Sequence, residues 1–235
     1  MNHPVAVITG AGRGIGRAVA VELARRGYAL ALAARNETEL LATLSIADAT
    51  DRGIAVPSDV SQVEQVDRLV DGAVDRFGRV DAVVHCAGVA PVRAIEQMSP
   101  AEWHEVIDTN LSAAFYLARA AWPVFRRQGG GVLVNVSSLA SRDPFSGFAA
   151  YGSAKAGLNL FGLSAAREGH PAGIRVHTIA PGAVETDMFR KLMTPEQYPK
   201  DQTLDPADVA KTIAACVTGE LKYTSGEVIY THRTV

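Results

Sequence analysis

The stretch that most constrains the fold is "VAVITGAGRGIG", Val5 to Gly16, in which an unbroken apolar and β-branched run enters a turn with glycine at positions 10, 12, 14 and 16. Such a run suits a strand covered on both faces, and sheets of such strands are parallel because crossover helices do the covering. The residues that follow, "IGRAVAVELARRG", change to a helical period. Ile15, Val19 and Leu23 fall at i, i+4 and i+8 and form one apolar stripe. Arg17, Glu22, Arg25 and Arg26 are left to face outward, and Gly27 is placed to cap the helix. Further strands are expected at "ALALAA" (29–34), "GIAVP" (53–57), "DAVVH" (81–85), "GVLVNVSS" (131–138), "IRVHTIAP" (174–181) and "GEVIYT" (226–231). No repeat, low-complexity tract or linker interrupts the alternation, so residues 1–235 read as one doubly wound α/β domain with a seven-stranded parallel sheet.

Composition narrows the function. With 48% apolar residues the chain can bury a full core, and a net charge of −2 gives no bulk attraction to nucleic acid or an anionic membrane. The opening "MNHPVAVITG" lacks the pattern of a signal peptide, and no run approaches the ~20 apolar residues of a membrane helix, so a cytoplasmic protein is expected. Cys86 and Cys216 match no metal spacing and read as buried thiols of a reducing compartment. The six histidines are scattered, so no metal site is expected, and His85 reads as a packed imidazole at a strand end.

Glycines at a strand-to-helix turn let the backbone approach a pyrophosphate, whose charge then lies against the unsatisfied N–H groups of the helix start. Gly10, Gly14 and Gly16 do not follow G-x-G-x-x-G, but their place between strand and helix favours a nucleotide. At the end of the second strand, where an acid would bind an adenosine ribose, the chain reads "LAARNE". Ala34 stands in place of the acid and Arg35 follows, with Arg13 able to reach the same corner, so a 2′-phosphate and hence NADP(H) is expected over NAD(H).

Farther along, "YGSAKAG" sets Tyr151 and Lys155 one helical turn apart. Thirteen residues earlier, "NVSS" brings Ser137 and Ser138 out at the carboxyl end of a strand, where open α/β sheets bind ligands. Taken alone, Ser138 would read as a turn or cap hydroxyl. A phenol titrates near ~10, and bringing it to ~7 takes about 4 kcal/mol. An ammonium ~4 Å away at an effective dielectric of ~20 supplies about 4 kcal/mol. One lysine therefore suffices to make Tyr151 a proton carrier at neutral pH.

These residues resemble the short-chain dehydrogenase/reductase family over the whole chain. "TGAGRGIG" matches its T-G-x-x-x-G-x-G and "YGSAK" its Y-x-x-x-K; "CAG" (86–88) takes the place of N-A-G, and "TNLSAAF" carries the helix asparagine at Asn110. The resemblance implies a single-domain Rossmann fold with sheet order 3-2-1-4-5-6-7. It implies that Ser138 holds a substrate carbonyl, Tyr151 passes the proton, Lys155 binds the nicotinamide ribose and lowers the Tyr151 pKa, and Asn110 holds a water linking Lys155 to solvent. For the cofactor it implies Gly10, Arg13, Gly14, Ile15 and Gly16 at the phosphates, Asp59 and Val60 at the adenine, and Ala87 and Gly88 beside the turn. Pro181, Gly182, Val184 and Thr186, in "PGAVETDM", would meet the nicotinamide. The substrate is then a small-molecule carbonyl or alcohol, and the chain a homodimer or homotetramer. The ending "GEVIYTHRTV" lacks the family's V-D-G-G close, which favours the dimer.

Residues 188–206, interrupted by Pro195, Pro199 and Pro206, read as a lid. Its Met188, Phe189, Leu192 and Met193, with Leu139, Phe145 and Phe148 near the acid, are the expected pocket wall, which points to an apolar or aromatic carbonyl. The chain also resembles 3-oxoacyl-carrier-protein reductases in "YGSAKAGL", but Ala172 stands where those often carry a basic residue. A nucleotide-binding redox sensor or scaffold is the non-enzyme alternative, disfavoured because serine, tyrosine and lysine are all present.

Overall fold

In the computed structural model, which describes residues 3–233, the apolar runs form β1 (Val5–Thr9), β2 (Ala29–Ala34), β3 (Gly53–Pro57), β4 (Ala82–His85), β5 (Gly131–Val136), β6 (Ile174–Pro181) and β7 (Val228–Thr231). All pair in parallel in one sheet ordered β3-β2-β1-β4-β5-β6-β7. Three strands are shorter than their apolar runs. At β4 the difference is a single residue, Asp81, whose N–H still reaches the Val5 carbonyl at 2.9 Å. The fifth strand ends at Val136 because Ser138 already caps the next turn. The seventh begins late because Gly226 takes φ +90°, a left-handed conformation incompatible with a regular strand.

Helices α1 (Gly14–Arg25), α2 (Glu37–Ile46) and α8 (Pro206–Thr218) cover one face of the sheet, and α3 (Val63–Phe77), α5 (Ala113–Gln128) and α6 (Ala149–Gly169) cover the other. The α1 stripe is buried as its spacing requires: Val19 and Leu23 have no exposed surface, and Ile15 packs at its upper end. Truncating Leu23 to alanine in such a site costs about 2–5 kcal/mol. Gly27, at φ +85°, closes the helix by donating to the Ala24 carbonyl. Glu22 pairs with Arg25 and Arg26 on the outer face. Arg17 does not face outward. Its guanidinium turns to the Thr43 hydroxyl (3.1 Å) and the Gly12 carbonyl, tying α1 to α2 and the glycine turn, because a carbonyl left bare by that turn is a stronger partner than water.

Before α5 the chain forms α4 (Pro100–Ile107), started by a reciprocal cap between Ser99 and Glu102. It then widens into a π turn over Asp108–Ser112. The wider turn directs Asn110 into the interior, where it is fully buried. Among the described residues no helix is long and apolar enough to cross a membrane.

Candidate active site

The carboxyl ends of the strands open into one cleft of about 560 Å³. At its floor, Gly10 and Gly14 take φ +63° and +55°. A Cβ on Gly10 would lie 2.7 Å from the Ala87 nitrogen, and one on Gly16 would overlap the Gly10 carbonyl. The turn is therefore open only because side chains are missing. α1 starts here with no side-chain cap and no acid in its first turn, so its N–H groups face the cleft uncompensated. This cradle fits the pyrophosphate of a dinucleotide.

Arg13 and Arg35 are exposed on the cleft rim beyond the turn, with Asp59 and Val60 beside them. The Asp59 carboxylate accepts from the Ser61 N–H and hydroxyl at 3.0 and 2.8 Å, which fixes the loop after β3. Three further residues at this end escaped the sequence reading: Asn36, Glu39 and Ser58. Asn36 caps α2 by accepting from the Glu39 N–H, so Glu39 sits in the first turn and points back at the glycines. The Asn36 cap marks Glu39 only as a first-turn residue, and packing alone brings it to the glycines. Ala34 thus leaves no carboxylate on β2, but α2 supplies one.

At the opposite end, Ser138, Tyr151, Lys155 and Asn110 share the cleft wall. Ser138 does cap a short turn, accepting from the Ala140 N–H at 3.1 Å, and its hydroxyl is close enough to the Tyr151 phenol to favour the ionised form. Lys155 is buried and donates to the Val136 carbonyl at 2.8 Å. Ser137 locks the same helix turn by donating to the Lys155 carbonyl at 3.2 Å. Asn110 donates to the carbonyls of Val89 and Val106, both at 2.9 Å, while its Oδ1 has no partner. That oxygen and the Lys155 ammonium meet beside Gly88, whose Cβ would stand 2.7 Å from one and 3.7 Å from the other.

Above these groups, Phe145, Phe148 and Tyr151 form an aromatic chain with centroid spacings of 5.6 and 5.2 Å. Leu139 lies beside it, and Met188, Phe189, Leu192 and Met193 face it from α7 (Asp187–Leu192) and the following loop. Glu185 and Arg190 pair through both oxygens, Thr203 donates to the same carboxylate at 3.0 Å, and Leu204 donates to the Ala183 carbonyl at 2.8 Å. The segment after β6 is thereby fastened at its base. Pro206 opens α8 instead of breaking a helix.

The short chain dehydrogenase family model matches residues 4–197. The chain belongs to the short-chain dehydrogenase family. The 3-oxoacyl-[acyl-carrier-protein] reductase FabG of Vibrio cholerae is 33% identical over 96% of this chain and 94% of its own length. The short-chain reductase NovJ of Streptomyces niveus is 34% identical over 96% and 91%. The crystal structure of levodione reductase superposes with a TM-score of 0.90 at 27% identity, covering 97% of this chain and 96% of that one. As a short-chain dehydrogenase the chain is an oxidoreductase of carbonyl and CH–OH groups that uses a nicotinamide cofactor.

Burial raises the Tyr151 pKa above the usual phenol value, and the neighbouring Ser138 hydroxyl opposes it. On balance the phenol stands above its ordinary value, the reverse of the lowered value expected beside Lys155. Burial of the phenol is the larger influence, and the ammonium turns to the Val136 carbonyl, 5.7 Å from the ring centroid. Burial also lowers Lys155 itself to about 8. Cys86, in the place of the family's amide, lines the cleft with its thiol pushed up to about 12 by burial, and it is an inert filler at neutral pH. It is half-buried, whereas Cys216 is fully so, and both are free. His85 is buried against the Thr9 hydroxyl at 3.0 Å, and burial followed by the Lys155 charge lowers it to about 3.

Proposed function

We propose that this short-chain dehydrogenase reduces a ketone or aldehyde to an alcohol, reversibly, with NADPH as the preferred donor, and that the substrate carries an apolar or aromatic group beside its carbonyl. The observation that carries the reading is that Ser138, Tyr151 and Lys155 share one cleft with an uncapped glycine turn. When bound, the reduced nicotinamide supplies the hydride. Gly10, Gly14, Ile15 and Gly16 hold its pyrophosphate, and Arg13 and Arg35 take the 2′-phosphate. Asp59 and Val60 meet the adenine, Ala87 and Gly88 flank the cofactor, and Pro181, Gly182, Val184 and Thr186 orient the nicotinamide. Lys155 holds the nicotinamide ribose, and Asn110 keeps a water beside it.

Tyr151 gives its phenolic proton to the carbonyl oxygen as charge develops there, while the Ser138 hydroxyl holds the same oxygen. Both hydroxyls stabilise the developing alkoxide more than the ketone, which is what lowers the barrier. The raised pKa of Tyr151 supports the reductive direction, since a neutral phenol is the proton donor needed. Residues 188–206 act as the lid, and their methionines and phenylalanines, with Leu139, Phe145 and Phe148, hold the apolar part of the substrate. The test is NADPH oxidation across aryl ketones, diketones, steroids and acyl thioesters, compared with NADH. Turnover of none of them, or a clear preference for NADH, would overturn the reading.

A second reading, reduction of a 3-oxoacyl group on a carrier protein, is favoured by the name and 33% identity of the Vibrio cholerae relative. Ala172 weighs against it, because it brings no cation to the turn before β6. Faster reduction of an acetoacetyl thioester than of an aryl ketone would select it. In either case we expect a homodimer or homotetramer, which light scattering after size exclusion would check.

A further inference from the structure

The adenosine end of the cleft contains a carboxylate that the end of β2 lacks. Glu39 lies against Gly12: a Cβ on that glycine would stand 2.6 Å from Glu39 Oε2 and 3.0 Å from its Cβ, with the Ala34 Cβ 3.6 Å from the same point. The Glu39 carboxylate therefore reaches the corner that an acid at position 34 would occupy. Its backbone is fixed there, because the Thr43 hydroxyl lies 2.9 Å from both the Glu39 and the Ala11 carbonyls and is itself held by Arg17. Glu39 is half-buried, lines the cleft and forms no ion pair among the described residues. Glu37, the other acid in the first turn of α2, is exposed and does not line the cleft.

We propose that Glu39 is a cofactor-specificity residue, accepting from the adenosine ribose hydroxyls of NADH and opposing the 2′-phosphate of NADPH, so that the preference conferred by Arg13 and Arg35 is held low and both nucleotides are used. The inference rests on the reading that the cleft takes a nicotinamide dinucleotide. An anionic acceptor binds a ribose diol well and a phosphate dianion poorly, so one side chain moves the two affinities in opposite directions. Glutamine keeps the size and removes the charge.

The experiment titrates the parent, Glu39→Gln and Glu37→Gln with NADPH and with NADH, followed by nucleotide fluorescence without substrate. Glu39→Gln is expected to raise the ratio of NADPH to NADH affinity about tenfold, weakening NADH and tightening NADPH. Glu37→Gln is expected to leave the ratio unchanged. A ratio within twofold of the parent in Glu39→Gln, or an equal shift in Glu37→Gln, overturns the proposal. A parent that prefers NADH defeats the NADPH reading alone, because the change of ratio still decides Glu39. A parent that binds neither nucleotide defeats both.

Discussion

The Lys155 ammonium lies 5.7 Å from the centre of the Tyr151 ring, one helical turn along the same face of α6, and is bonded to the Val136 carbonyl. The same buried ammonium thus serves a backbone carbonyl and lies within cation–π range of the ring. Turning the ammonium elsewhere gives up that buried hydrogen bond, so a new partner must offset its loss.

If the phenol carries the proton, Tyr151→Phe should lower the rate of carbonyl reduction by about 10²–10⁴-fold with nucleotide binding intact. Ser138→Ala should cost about 10²–10³-fold, as loss of one oxyanion donor does. Steady-state kinetics alongside nucleotide fluorescence separate the two effects. A Tyr151→Phe variant with parental turnover would refute the mechanism.

The two directions should differ in their pH dependence. Tyr151 is held above the usual phenol value, so the donor form persists through neutrality and the reductive rate should be flat from about pH 6 to 8. Alcohol oxidation needs the phenolate and should climb by up to about tenfold per pH unit over the same range. A reductive rate that collapses on passing pH 7 would contradict this ordering.

Acid should weaken the fold through His85. Unfolded, an imidazole takes a proton below about pH 6.5. Folded, His85 does so only at about 3, so lowering the pH through that window favours the unfolded chain. The loss is about 1.4 kcal/mol per pH unit, and His177, lowered to about 4, adds to it. Urea midpoints at several pH values should fall accordingly, and His85→Asn should flatten the dependence.

Gly16→Ala should abolish nucleotide binding. Its Cβ would overlap the Gly10 carbonyl, so the turn must open and withdraw the α1 N–H groups from the phosphates. Gly72→Ala, at a site with open space around it, is the matched control and should bind normally. Fluorescence titration with NADPH reads both.

The alternation of apolar runs and helical periods was enough to give all seven strands and their layering, because strands covered on both faces read as near-continuous apolar runs. Local spacing likewise marked the glycine turn and the pairing of Tyr151 with Lys155, since each depends only on residues within one turn of chain. Arg17 and Glu39 were not legible. Both look like ordinary surface charges on amphipathic helices, and only the packing of α2 against the glycine turn gives one a carbonyl to bind and brings the other to the corner beside Gly12.

The protonation of the site was also beyond the sequence. A four-residue spacing predicts proximity, but the Tyr151 and Lys155 pKa values depend on how deeply each is buried and which way the ammonium turns. The chain's own order of residues determined the architecture and the glycine cradle, because these follow from short-range periodicity and backbone freedom. Tertiary structure alone decided charge, orientation and the company each group keeps, because desolvation and long-range contacts exist only once distant segments have packed.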